Sequence, residues 1–262
     1  MSDAAPPDPD RSLPKSPWER SRRPAAVTRV PLTRERIVDA AYTVLDREGL
    51  DGMSMRQVAA QLGVAVSALY AHVSAKDELL ELMYTRMFEG YELPDADPER
   101  WQEQIKEYAR EGRARLLAHR DLARISMAHV PFTSELLPQV ERLLAIFRTA
   151  GVPDRITAVA GDVLSTYMDG FALEEGVWAD RMRREVGSDD PASWRKMKSE
   201  LEEYFAALPP DRFPHLVALG RLMSDETQDD RFELGLEIIV RGIASYLDDG
   251  KNDSESDGGS SA

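Results

Sequence analysis

At 262 residues the chain has room for one large domain or two modest ones. Its 42% apolar, 31% charged and 7% aromatic residues describe an ordinary globular protein rather than a fibrous or wholly disordered one. The absence of cysteine excludes disulfides, zinc fingers, thiol nucleophiles and iron–sulfur clusters. No apolar run approaches the roughly 20 residues that span a bilayer, and the N-terminus lacks the charged-then-apolar layout of a secretory signal, so the expected location is the cytoplasm. The net charge of −14 argues at first against a polyanionic partner. That charge is unevenly spread, however. Residues 11–36 carry a local balance of +6, and residues 1–80 are neutral, so the whole deficit lies in residues 81–262.

Residues 1–31 hold seven prolines and few large apolar side chains, which predicts a disordered basic arm, either solvated or touching DNA. The first helix follows. Ile37, Ala40, Ala41, Val44 and Leu45 recur at the spacing of one buried helix face, with Thr33 as N-cap and Gly49 as terminator. The next stretch, SMRQVAAQLGVAVSALYAHVSAK from Ser54 to Lys76, reads as two short helices joined by a tight turn. Ala59 is small where the helices must approach, and Gly63 supplies a turn conformation that a Cβ resists. Val58, Leu62, Val64, Leu69 and Val73 form a miniature core. Ser54 caps the first helix of the pair, and Ala65 to His72 form the second.

Further helices are expected over 77–91, 99–119, 122–128, 134–150, 154–178, 193–207 and 231–247, broken at Pro94, Pro98, Pro131, Gly151 with Pro153, Pro209 with Pro210, and Pro214. No convincing alternating strand appears. The fold class is therefore all-α with about nine or ten helices. The segment 179–219 carries no assignable motif, and residues 249–262 read as a disordered acidic tail. In 154–178 and 231–247 apolar residues occupy more than one face, for example Phe232, Leu234, Leu236, Ile238, Ile239, Val240 and Ile243, as in helices buried on two sides.

The run LTRERIVDAAYTVLDREGLDGMSMRQVAAQLGVAVSALYAHVSAKDELLELM, residues 32–83, resembles the DNA-binding domain of tetracycline-repressor-type (TetR family) regulators. LLAHRDLARI, the segment Gly170 to Glu174 and RFELGLEIIVRGI resemble, more weakly, the ligand-binding body of the tetracycline-repressor branch. The resemblance implies a helix-turn-helix head over 32–82, a ligand-binding and dimerisation body over 83–248, and a homodimer that binds a palindromic DNA operator and responds to a small-molecule effector. It implies DNA contacts from Ser54, Met55 and Arg56 at the start of the first motif helix. Ala65, Val66, Ser67 and Ala68 would face the bases, with Tyr70, His72 and Lys76 on the backbone. Small apolar groups at 65, 66 and 68 can meet thymine methyls but make no bidentate base contacts, so Arg56, Ser67 and DNA shape are expected to carry more of the specificity. For Tyr70 and His72 simple packing is an equal alternative.

The same resemblance places a metal-holding histidine after HRD and a glutamate on a later helix. Here those positions are Ser126 and Glu174, and without the imidazole no metal or other cofactor is expected. His129 lies near enough to turn to the same face, although a packed histidine is the commoner outcome. The remaining pocket candidates are Tyr108, Met127, Phe132, Phe147, Tyr167, Met168, Phe171 and Trp178, each as often plain core as ligand contact; together they suggest an apolar or aromatic effector. An enzyme finds little support, since the chain has no glycine-rich phosphate loop, no His-Glu-x-x-His and no Gly-x-Ser-x-Gly. The alternative to a DNA-binding repressor is a ligand-binding helical dimer with little DNA affinity.

Overall fold

The computed structural model describes residues 31–129, 133–187, 190–225 and 227–256, with side chains to residue 247. The N-terminal arm and the end of the acidic tail lie outside the described residues, as does Phe132. Among the described residues there are eleven helices and no strand, as the all-α reading expects.

The first helix, α1 (Arg34–Gly52), breaks where the sequence requires it: Gly49 has φ 72° and ψ 172°, and the last residues form a separate turn. Ile37, Ala41, Val44 and Leu45 are fully buried, and the Tyr42 hydroxyl donates to Met83 O at 2.6 Å. That bond ties α1 to α4 (Lys76–Met87). Between them, α2 (Met55–Leu62) and α3 (Val66–Tyr70) form the paired short helices.

The body is built on α5 (Trp101–Leu117), α8 (Asp154–Glu185) and α11 (Gln228–Ser256), which pack on one another. Helices α6 (Leu122–Ser126) and α7 (Leu137–Thr149) complete it. Close approach of α8 to α11 depends on Gly235, where an added Cβ would collide with the Tyr167 hydroxyl and sit 2.8 Å from that ring's Cζ. The Arg113 guanidinium lies 4.8 Å from the Phe232 ring centroid and 5.4 Å from that of Phe171, a cation–π arrangement inside the three-helix seam. Arg113 also pairs with Glu175 and, at 2.7 Å, with Asp229. Arg110 clamps Glu233 through two nitrogens, at 2.7 and 2.9 Å.

The doubly apolar pattern of the last helix resolves into two stripes. Phe232, Leu236, Val240 and Ile243 point inward and are buried, while Leu234 and Ile238 face out. On α8, Val159 and Val163 are likewise exposed.

Three boundaries differ from expectation. Helix α8 runs to Glu185 rather than stopping near 178, because nothing between Trp178 and Glu185 interrupts it and the next break is Gly187 at φ 79°. Helix α11 continues to Ser256, into the stretch read as tail. The unassigned segment forms a helical hairpin, α9 (Pro191–Ala206) and α10 (Pro214–Asp225). Asp190 caps α9 by accepting from the amides of Ala192 (2.9 Å) and Ser193 (2.8 Å). Proline at 214 opens α10 instead of ending a helix, since a first-turn proline has no amide to lose.

Candidate nucleic-acid interface and effector pocket

The helix pair is held by size and capping. Ser54 Oγ accepts the Gln57 amide at 3.4 Å, and Gly63 adopts the left-handed conformation at φ 67°, its amide returning to Ala59 and Ala60. Val58, Ala59, Leu69 and Val73 are buried, which locks α3 against α2 by one face. The opposite face is open. Arg56, Ala65, Ser67 and Tyr70 are exposed, while Val66, Ala68 and His72 are half-buried.

Two expected DNA contacts do not fit. Met55 is 8% exposed and belongs to the head's core, because the first residue of α2 points inward rather than toward a groove. Lys76 is a clamp rather than a free cation: its ammonium donates to Met53 O at 2.9 Å and to Leu50 O at 3.3 Å, closing the start of α4 onto the α1–α2 connection. Ser54 is spent mainly on its cap, its hydroxyl also donating to Gln57 Oε1 at 2.9 Å. Sequence reading missed Arg34, whose Nε donates to His72 O at 2.9 Å and which pairs with Glu78 at 3.2 Å, fixing the end of α3. Glu78 in turn accepts from Ser74, which holds its carboxyl below the usual range.

The head meets the body around the HRD segment. Asp121 has φ 58°, an unusual conformation for a non-glycine residue. Its carboxylate accepts the Leu50 amide at 2.9 Å, and Arg124 forms a two-pronged pair with Asp51 at 2.9 and 3.1 Å. Asp46 accepts the Arg120 amide at 3.0 Å and bonds His119 Nδ1 at 2.9 Å. A cavity of about 430 Å³ opens beside this junction, lined by Asp39, Tyr42, Asp46, Arg86, Arg115 and His119 among others. A second, of about 670 Å³, runs along α5, α6 and α8 past Leu116, Arg120, Arg124, Leu173, Glu175 and Arg183.

None of the described pocket residues nominated from sequence lines either cavity. Phe147 is fully buried against Trp101, with ring centroids 6.1 Å apart, so it is core. Met127 is 54% exposed, because the short α6 ends there and turns the side chain outward. Tyr167 donates to Phe232 O at 2.9 Å and stacks with Phe171 and Phe232 in the α8–α11 seam. Glu174 holds Arg231 at 3.1 Å, and Trp178 lies half-exposed beneath Arg181. His129 is the packed histidine of the plainer reading: Nδ1 bonds Ile125 O at 2.7 Å, and the ring stacks on Tyr84 at 5.5 Å.

Tyr108, Ser126 and Met168 do come together, around a residue that sequence reading passed over. Asp169 is buried, and Ser126 donates a hydrogen bond to its carboxyl. Burial pushes that carboxyl up to about 6, against the lowering effect of Ser126. The phenols of Tyr108 and Tyr84 are also pushed up by burial, Tyr108 to about 12. The missed signal was an acidic residue inside the apolar stripe Leu164, Met168, Phe171, Ala172. Among the described residues no group of three or more His, Asp or Glu side chains is placed to hold a metal.

A capped helix-turn-helix with an open recognition face, joined to a larger helical body, defines a DNA-binding regulator with its own sensor. Comparisons with known proteins agree. Residues 37–83 match the family model for bacterial regulatory proteins of the tetR family, and residues 93–247 match the tetracycline repressor-like C-terminal domain. The HTH-type transcriptional repressor DrrR1 of Streptomyces coeruleorubidus is 31% identical over 230 residues, covering 86% of this chain and 82% of that protein. The class D tetracycline repressor of Escherichia coli is 27% identical, covering 82% of this chain and 91% of that one. The crystal structure of the TetR family protein ActR of Streptomyces coelicolor with actinorhodin superposes with a TM-score of 0.72 at 39% identity, covering 83% of this chain and 99% of that one. The chain belongs to the TetR family and is a ligand-responsive, DNA-binding transcriptional regulator. No helix among the described residues is long and apolar enough to cross a membrane.

Proposed function

We propose that the protein is a homodimeric repressor that binds a palindromic operator through α3 and releases it when an apolar or aromatic effector occupies the body. The observation that carries this reading is the asymmetry of α3: Leu69 is fully buried against the head, while Ser67, Tyr70 and nearby Arg56 face outward. That is the disposition a recognition helix needs to enter a major groove. Arg56, Ser67 and Tyr70 are the contacts the reading rests on, with His72 beside them.

The exposed apolar stripes Val159 and Val163 on α8, and Leu234 and Ile238 on α11, support a four-helix seam between two copies. A two-fold axis there imposes two-fold symmetry on the operator. ActR is solved with actinorhodin and with (S)-DNPA, which favours a small organic effector here as well. Release follows by linkage, the effector weakening DNA affinity by the ratio of its affinities for the two conformations. The route from body to head is the Asp121–Leu50 and Arg124–Asp51 junction. Retardation of the protein's own promoter fragment at low salt tests the reading, and failure to retard it removes the repressor.

The acidic body and the small apolar residues at 65, 66 and 68 favour a second reading, a ligand-binding dimer with little DNA affinity. Under it Arg56→Ala changes nothing in a DNA titration.

A further inference from the structure

Resting on the effector-pocket reading, we infer that Asp169 is the specificity-determining residue of the sensor, accepting a hydrogen bond from a phenolic hydroxyl on a flat aromatic effector that also carries a carbonyl. The inference starts from hydrogen bonds the protein leaves unmade. A carboxylate offers about four acceptor positions, and Asp169, buried on α8, receives a hydrogen bond from Ser126 alone among the described residues. Tyr84 on α4 and Tyr108 on α5 surround the same region, and the charge of Asp169 is felt by both phenols. Neither hydroxyl makes a hydrogen bond with a described residue. The Tyr108 ring stacks on Tyr91 at 6.4 Å, and Tyr91 O accepts the side-chain amide of Gln139, whose own Oε1 is buried without a donor.

Thus α4, α5, α7 and α8 each bring a polar group with an unmade bond to one apolar region bounded by Met168 and the His129 ring. Native interiors rarely leave several buried polar groups unsatisfied together, and each such case calls for an absent partner. The complement is specific. Two acceptors, Asp169 and Gln139 Oε1, require hydroxyl donors, and two phenols require an oxygen acceptor. The aromatic walls require a flat ring. A hydroxylated aromatic ketone or quinone supplies all three in one rigid molecule. A purely structural role explains less, because an aliphatic side chain at 169 would continue the apolar stripe of Leu164, Met168 and Ala172 without a buried charge.

The test titrates the full-length protein and its Asp169→Leu and Asp169→Asn variants with 2,6-dihydroxyanthraquinone and with unsubstituted anthraquinone, followed by quenching of tryptophan fluorescence. Wild type should bind the dihydroxy compound at least about tenfold more tightly than the parent, since a site built to hydrogen-bond a hydroxyl rejects the analogue lacking it. Asp169→Leu should abolish that preference while leaving anthraquinone affinity unchanged, and Asp169→Asn should retain part of it. Equal binding of the two compounds by wild type, a preference surviving in Asp169→Leu, or binding of neither compound overturns the inference. Retardation of DNA by the same wild-type preparation is scored separately, so failure of the regulator reading is distinguished from failure of Asp169 as its anchor.

Discussion

The Asp121 carboxylate accepts the backbone amide of Leu50 at 2.9 Å, joining residues 71 positions apart in the chain. The contact lies immediately after the Gly49 kink, so it fixes where the head begins to turn away from α1. An added Cβ at Gly49 would come within 2.9 Å of the same carboxylate, which shows how closely the two segments fit. Asp121→Ala removes the acceptor and leaves a part-buried amide unpaired, at a cost of about 1–3 kcal/mol. The expected result in thermal denaturation is a lower Tm, together with a smaller effector-induced change in DNA affinity. Asp121→Asn, which tolerates the left-handed backbone and keeps an acceptor, should restore both.

Arg56 and Lys76 are alike in the sequence, both cations within the helix-turn-helix run, yet they are placed for different work. Arg56→Ala should weaken DNA binding and reduce the salt dependence by about one counterion with Tm unchanged. Lys76→Ala should lower Tm by releasing Leu50 O and Met53 O. Fluorescence anisotropy across a salt series, beside a melting curve for each variant, separates the two. Loss of salt dependence in both with stability intact would show that the Lys76 clamp opens on DNA.

Asp169 gives a pH signature with a definite sign. Its folded-state value of about 6 lies above the ordinary 3.8, so the fold prefers the protonated carboxyl. The folded state therefore binds more protons than the unfolded one between those values, and stability falls as pH rises through that window. Above about pH 6 the full penalty of the buried charge, on the order of 3 kcal/mol, is present. Asp169→Asn should therefore stabilise the protein at pH 7 to 8, with the gain shrinking toward zero near pH 4. Denaturant titrations of both proteins at several pH values measure it. A pH-independent difference would mean that Asp169 is not buried as described.

Gly235 fixes the approach of α11 to α8. Gly235→Ala drives a methyl into the Tyr167 hydroxyl and to 2.8 Å from Cζ, so the ring must move and its bond to Phe232 O must break. Overpacking of this kind costs about 1–3 kcal/mol. The variant should melt earlier and, because the two helices also carry the exposed Val159 and Leu234 stripes, should dissociate at higher protein concentration in sedimentation.

The parts legible in the sequence were those governed by local rules. Ala59, Gly63 and Leu69 each answer to a steric requirement of a tight turn, and the structure places them accordingly. The Ser54 cap and the Gly49 break are equally local. Lys76 was misjudged because sequence shows a cation but not its acceptors, which here are backbone carbonyls more than twenty residues away. Met55 was carried over by position alone, although its apolar side chain already argued for burial. Met127 and Phe147 failed as pocket residues because helical spacing does not say which face looks inward on a helix as short as α6, or which aromatic merely fills the core. Asp169 was missed because its partners come from α4, α5 and α6, and only the tertiary fold brings them together.

Selection of bound duplexes from a random pool, followed by a salt titration of the winning sequence, tests the central claim most directly. The account predicts a two-fold symmetric consensus whose binding persists at moderate salt and weakens in Arg56→Ala. No enriched sequence, or binding that vanishes uniformly above low salt, would contradict it and leave a ligand-binding dimer without an operator.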